Sequence, residues 1–379
     1  MTVLLSPPLY SPDKFVNREE ELSRLDRILE SGEKRAVIFR GERGVGKSWL
    51  PAHWEWQLRR RKDLQVLRLD LKEYRGREPG WATADIIRRV SEKIGGPGER
   101  LGTDLAEMSR TLLQHVRKIR KTLILILDHV YESDWTLLAL LEEYLLAPLI
   151  SEPRVFIVLT GRGRWYPWRT PDLTIRAEPV IVKPLPSEEE TRQQLERQAQ
   201  QGLPQAGKIH RMTGGNPLAN YLLAAEPQPT QVSDAVIEEL LEPVPEEHRQ
   251  KIREYLEALC VLRAFDEDRI PEMMAAYTGD RSYREWTYAQ ARQVRDELIR
   301  WALAQWDVDE RAYVLDRIVR QLVELHLQQN HPDKWEALHQ AARDLYERWA
   351  KEFPSTATRW EGERSYHQNC LTRQKEGER

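Results

Sequence analysis

The sequence predicts an α/β domain built on a parallel sheet with a phosphate-binding loop, then an all-helical region and a winged-helix domain. Three observations carry that reading. The apolar run Ala36–Phe39 enters Gly41-Glu42-Arg43-Gly44-Val45-Gly46-Lys47-Ser48, which fits G-x-x-x-x-G-K-[ST], and helix-compatible residues follow through Trp56 and Gln57. Two continuous aliphatic runs, Thr122–Leu127 and Val155–Thr160, alternate with helical stretches, as in parallel strands covered on both faces. From Leu185 onward the pattern becomes helical throughout, with an alternating stretch near Asp307–Arg311 that reads as a small hairpin.

The loop motif implies a chemistry. Its glycines allow the φ values and close approach that let backbone N–H groups wrap phosphates. Lys47 is placed to reach the β- and γ-phosphates, and the Ser48 hydroxyl to ligate Mg²⁺. Gly41, Arg43, Gly44, Val45, Gly46, Lys47, Ser48 and Trp49 are therefore expected to surround a nucleoside triphosphate. A Gly-rich turn ending by chance in Lys-Ser explains the motif less well, because strand and helix both stand in place.

Composition sets bounds. At 379 residues the chain exceeds what one core holds, so two to four domains are expected. A mean hydropathy of -0.66 and the lack of a long uncharged apolar run argue against a membrane span. The start, MTVLLSPPLYSPDK, lacks the form of a signal peptide. Cys260 and Cys370 are too far apart in sequence to suggest a metal knuckle or a disulfide framework, and a cytoplasmic protein is the simplest expectation. The net charge of -3 excludes the chain as a whole from being a polyanion binder and leaves room for a local basic face. The 13 Trp recur in helical patterns that suit cores and interfaces.

In order along the chain, residues 1–14 read as an extended leader. Phe15 to Leu29 reads as a helical segment with Asn17 as its N-cap and Glu19, Glu20 and Glu21 at the positive end of the dipole. The phosphate loop follows, then a second strand at Leu64–Leu71, helices at Trp81–Ile94 and Asp104–Ile119, and the strand Thr122–Leu127 ending in Asp128. A helix from Asp134 to Leu146, the strand Val155–Thr160 and a last strand at Val180–Val182 complete a domain over 15–184. Ser187 to Glu190 forms a capping box that opens a small helical domain over 185–243. Helices at Glu246–Arg263, Asp268–Tyr277 and Tyr288–Ala304, the hairpin, and Leu315–Leu327 make a winged helix over 244–330. Residues 331–379 hold an amphipathic helix from Trp335 to Phe353 and read as a helical arm or the start of a sensor domain.

Asp128 ends a strand after the phosphate loop, where a carboxylate holds Mg²⁺, usually through water. Fast ATPases place a second carboxylate next, to polarise the attacking water; this chain has His129. A neutral histidine can act as base without a fixed negative charge, so slow hydrolysis is expected. Arg162 ends the neighbouring strand near the γ-phosphate position, where a guanidinium senses or stabilises phosphoryl charge; a solvated loop arginine is the plainer reading. Pro217 after Gly214-Gly215-Asn216 stands at a first helical position and by itself needs no function.

Taken in order, Phe15–Leu29, Gly41–Ser48, Leu123–Asp128, Thr160–Arg162, Gly215–Pro217 and the winged helix resemble the STAND ATPases, signal-transduction ATPases with numerous domains, of the NB-ARC and AP-ATPase type found in NLR-like proteins. The likeness spans roughly residues 15–330, and the phosphate loop is its one highly specific motif. It implies an α/β P-loop NTPase with an AAA+/STAND-like parallel sheet, and ATP or ADP with Mg²⁺ as ligands. It also implies that Phe15 and Val16 line the adenine pocket, Arg18 touches nucleotide, Arg162 senses the γ-phosphate and Pro217 packs on the adenine. The preference for adenine rests on this resemblance. The family alternates between a closed ADP form and an open ATP form that assembles into a ring, with effector and sensor parts outside the core.

The chain departs from the family twice. Asp128-His129 replaces an acidic pair, and Leu315 stands where the winged helix has a histidine that touches the ADP β-phosphate, leaving His326 or Arg317 as substitutes. The reading is thus an ATP/ADP switch with slow hydrolysis that self-associates on activation. The alternative is an AAA+-type ATPase whose winged helix binds DNA. The candidate recognition helix mixes Arg292, Arg295 and Arg300 with Asp296 and Glu297, which disfavours DNA. A small-molecule kinase fits the large helical half poorly.

Overall fold

The computed structural model describes residues 9–96, 104–161, 166–198, 205–226, 231–242 and 244–377, with side chains to residue 373. Two compact units divide the chain: residues 8–199 with 214–218, and residues 200–213 with 219–379.

The first unit is a five-stranded, wholly parallel sheet in the order β2-β3-β4-β1-β5. The strands are β1 (Ala36–Arg40), β2 (Leu64–Asp70), β3 (Thr122–Asp128), β4 (Val155–Leu159) and β5 (Ala177–Ile181). Alternate residues of β3 feed two cores. Leu123, Leu125 and Leu127 face α3 (Pro79–Lys93), α4 (Leu105–Val116) and α5 (Trp135–Leu141), while Ile124 and Ile126 join Trp54, Phe156 and Leu25 on the side of α1 (Glu19–Ser31) and α2 (Trp49–Leu58). Burial on both faces explains why the central strands are uninterrupted aliphatic runs. After α5 the helix widens into a π turn at Glu142–Leu146 before α6 (Ala147–Ile150), and α7 (Pro171–Arg176) leads into β5. The Ser187 capping box forms as expected and opens α8 (Glu188–Gln198): Glu190 N donates to Ser187 Oγ, and Ser187 N to Glu190 Oε2.

Two expectations need correction. Asn17 does not cap α1: the helix begins at Glu19, its N-cap is Arg18, and both residues lie in the left-handed region at φ 55° and 80°. The tertiary contacts of Arg18 described below, not local capping, hold that turn. The last strand is also longer and earlier than Val180–Val182; Pro179 hid it, and an edge strand tolerates proline because one side carries no ladder.

Among its described residues, the second unit is helical except for one hairpin. It contains α9 (Ala206–Thr213), most of α10 (Pro217–Ala225), and α11 (Asp234–Leu240). Then come α12 (Glu246–Leu259), α13 (Ile270–Thr278), α14 (Tyr288–Arg300), and the antiparallel pair β6 (Ala304–Asp307) and β7 (Ala312–Leu315). Phe265, between α12 and α13, bridges to Tyr313 of β7 through two backbone hydrogen bonds of 2.7 and 2.9 Å. Three helices, a bridging residue and a wing make a winged helix. Asp316 caps α15 (Arg317–Asn330) by accepting from Ile318 N and Val319 N. Next, α16 (Pro332–Glu352) packs on α13, α15 and α17 (Ala357–Gly377). Arg269, at the N-cap of α13, lies over the Trp349 and Trp360 rings of α16 and α17, 4.8 and 5.3 Å from their centroids. Among the described residues, no helix is long and apolar enough to cross a membrane.

Candidate functional site

The site sits at the carboxyl ends of the parallel strands, where β1 turns into α2. Gly41, Gly44 and Gly46 have φ of 148°, 76° and 96°, which side-chain-bearing residues rarely adopt. At Gly44 space is limiting too: a Cβ there would lie 2.5 Å from Leu218 Cβ and 2.6 Å from Asn216 Oδ1. The loop is clasped by the Gly214–Leu218 turn. Asn216 Nδ2 donates to Arg43 O at 2.6 Å, and Leu218 N to Gly44 O at 3.1 Å. Pro217 belongs to this clasp, its carbonyl accepting from Gln194 Nε2 at 2.6 Å. Lys47 Nζ spans the loop, donating to Gly41 O at 2.8 Å and Glu42 O at 2.6 Å.

Arg18 reaches the same loop from the other side, donating to Val45 O at 3.0 Å and Lys183 O at 2.7 Å, with Glu21 beside it at 3.0 Å. Val45 and Val16 are buried, and Trp49 meets Tyr10 edge-on at 5.6 Å between centroids. Phe15 is also buried, its ring stacked on His53 at 4.0 Å and an interplanar angle of 10°. Burial lowers the His53 pKa. Lys14 and Phe15 are held by α8: Arg197 donates to Phe15 O at 2.5 Å and Gln198 to Lys14 O at 2.9 Å.

Around Asp128 the polar groups converge. Ser48 Oγ donates to Asp128 Oδ1 at 2.9 Å, Thr160 Oγ1 donates to the same oxygen, and the His129 amide donates to it at 2.9 Å. Asp128 is 4% exposed. His129 itself is left-handed, φ 56°, which turns its ring across β2. There Nδ1 meets Asp70 Oδ1 at 2.7 Å, and lies 3.8 Å from Asp128 Oδ1. Burial pushes the Asp70 pKa up, but hydrogen bonds from His129 and the Lys72 amide outweigh it and hold the carboxyl below its ordinary value. An ionised carboxylate only accepts, so His129 Nδ1 carries the proton and Nε2 is the second ring nitrogen left to act.

Asp70 was not among the residues expected here. The available signal was its position at the end of a strand, which becomes informative once β2 is known to be the neighbour of β3. Arg162 lies outside the described residues. The substitutes considered for a winged-helix histidine sit in the second unit: His326 is buried, its Nδ1 2.9 Å from Val232 O and its Nε2 3.2 Å from Arg253, and Leu315 is buried at the end of β7. The oxygen donors at Ser48 and Asp128 suit a hard cation such as Mg²⁺.

Sheet order, loop and strand-end carboxylate decide the architecture. The first unit has the P-loop NTPase fold. No family model matches the sequence, and no curated protein matches it. Among solved structures, the ORC1 protein of Aeropyrum pernix, solved in complex with DNA, is 16% identical over 84% of this chain and 94% of that one, with a TM-score of 0.44. Cdc6p of Pyrobaculum aerophilum is 15% identical over 86% of this chain and 98% of that one, at 0.45. A STAND protein with a tetratricopeptide repeat sensor from Pyrococcus horikoshii is 17% identical over 95% of this chain and 54% of that one, at 0.38. None of these gives support to the expectation that DNA is not a partner.

Proposed function

We propose that the chain binds ATP or ADP with Mg²⁺ at the Gly41–Ser48 loop and acts as a slowly hydrolysing nucleotide switch whose ATP form self-associates. The observation that carries this reading is the convergence of Lys47, Ser48 and Asp128 on one loop whose glycines hold positive φ. Ser48 and Asp128 would hold Mg²⁺, which when bound neutralises phosphate charge. Lys47 draws the phosphates onto the loop amides, and its present carbonyl partners keep its ammonium over that loop. His129, fixed by Asp70, presents Nε2 to the attacking water as acceptor, and Arg162 reads the γ-phosphate. A dyad of histidine and carboxylate carries less negative charge at the water than a second acid, which supports slow turnover. Phe15, Val16 and Arg18 bound the base side, with Pro217 in the clasp.

Ring assembly, the closed ADP form and the boundaries at residues 184, 243 and 330 belong to the same proposal. The deciding experiment is to denature freshly purified protein and chromatograph the released nucleotide. Stoichiometric ADP, absent from Lys47→Ala, is expected; an empty site with rapid ATP turnover overturns the switch. The alternative, a winged helix that reads DNA, is disfavoured by the ion pairs on α14: Arg295 pairs with Glu267 and Asp296, and Arg292 lies 3.6 Å from Asp296.

A further inference from the structure

At the end of the sheet opposite the phosphate loop, every strand is entered through a cation. Lys62 precedes β2, Lys121 β3, Arg154 β4, Arg35 β1 and Arg176 β5, each within two residues of its strand. Because all five strands are parallel, these residues line one edge. The backbone stitches the edge together: Thr122 N donates to Asp63 O at 3.0 Å, Leu123 N to Arg154 O at 2.8 Å, Ile157 N to Arg35 O and Arg35 N to Arg176 O, both at 2.9 Å. With strands spaced about 4.8 Å apart, the row is about 19 Å long. The exposed residues Arg59, Arg60, Arg61 and Lys62, and Arg117, Lys118, Arg120 and Lys121, extend it beyond the ends of α2 and α4.

Part of this charge has a local explanation. Cations at helix C-termini complement the dipole, and Arg59, Arg61, Arg117 and Arg176 pair with Glu55, Asp63, Glu152 and Asp172. The helix dipole accounts for Arg176, which ends α7, but not for Arg35, Lys121 or Arg154 at the bases of β1, β3 and β4. Lys62, Lys118, Arg120 and Lys121 have no ion-pair partner among the described residues, and the guanidinium groups of Arg154 and Arg35 reach only backbone carbonyls. The chain as a whole is acidic at -3, so the excess is local.

We propose that this basal edge binds the phosphate backbone of duplex DNA without reading its sequence, by a surface separate from both the nucleotide site and the winged helix. A row of cations set one strand apart, rich in guanidinium forks, suits a polymer whose charges also recur in a row. A fluid lipid surface holds no charges fixed in a line, and an acidic peptide is charged only where its sequence places Asp or Glu, whereas a phosphodiester backbone is charged at every residue.

The test is fluorescence anisotropy of the full chain with labelled duplexes of two unrelated sequences. Equal affinities are expected, falling about 100-fold between roughly 50 and 200 mM salt, the behaviour of about four neutralised phosphates. Lys118→Glu/Arg120→Glu/Lys121→Glu should bind at least about tenfold more weakly with a shallower salt slope, while Arg292→Glu/Arg300→Glu on α14 should bind as the parent does. Thermal melting checks folding, and Lys118→Gln/Arg120→Gln/Lys121→Gln gives a milder variant that should also flatten the slope. The proposal is overturned by no binding at low salt, by undiminished binding of both edge variants, by loss confined to the α14 variant, or by phosphatidylserine vesicles binding as tightly as DNA.

Discussion

Asp70 meets His129 only because β2 and β3 are neighbours, in register from Leu64↔Thr122 to Asp70↔Asp128. With Nδ1 held by that carboxylate, the ring can neither flip nor change tautomer without breaking a 2.7 Å hydrogen bond. Asp70→Asn should therefore lower the ATP hydrolysis rate about 10- to 100-fold, since general-base help is worth that order or more, and leave ATP affinity near the parent value. In a His129→Glu background the carboxylate of Asp70 would repel its new neighbour, so there Asp70→Asn should no longer slow hydrolysis. Phosphate release with separate kcat and KM, together with ATP affinity by calorimetry, distinguishes this from a collapse of the site, in which affinity falls as well. Gly44 is constrained differently. Gly44→Ala places a Cβ against Leu218 and Asn216 at a φ of 76°, at a cost of about 1–3 kcal/mol for the backbone alone. Its melting temperature should fall and its ATP affinity weaken together.

Elements with strong local signals were legible in the sequence; those set by their neighbours were not. The phosphate loop, the aliphatic β3 and β4, the Ser187 capping box and the wing all announce themselves through spacing, because each carries its pattern within one short stretch of chain. The left-handed pair Asn17-Arg18 was missed because its stabilisation comes from Val45 and Lys183, far along the chain. For β5, Pro179 masks an edge strand whose partner is β1. The Asp70–His129 pair belongs to the same class, since no spacing rule joins residues 59 positions apart. In the winged helix, Thr287 forms a reciprocal capping box with Gln290 at the start of α14. Thr287→Ala should cost about 1 kcal/mol, read as a shift in the denaturant midpoint with an unchanged slope. A larger loss would mean that α14 depends on its cap rather than on Ala291, Val294 and Leu298, which are buried.

At the scale of the whole chain, the division into two compact units sets what a ligand can do to stability. The loop, its clasp at residues 214–218, Asp128, His129 and Asp70 all belong to the first unit. Nucleotide bound at the proposed site would therefore stabilise that unit directly, and the second only through coupling. A ligand that binds the native state alone adds RT ln(1 + [L]/Kd), about 2.7 kcal/mol at a hundredfold excess over Kd, which for a domain of this size is about 5–10 °C in melting temperature. Scanning calorimetry with and without ATP and Mg²⁺ should show one transition moving up by that amount and a second left in place. In Lys47→Ala, neither should move. A switch also needs the ligand to favour one arrangement of the units, because an equilibrium shifts only by the difference in affinity for its two states. Replacing ADP by ATP should then change the second transition or the sedimentation coefficient, although the loop and its clasp belong to the first unit. If both nucleotides stabilise the first transition equally and leave everything else unchanged, the chain binds nucleotide without being switched by it.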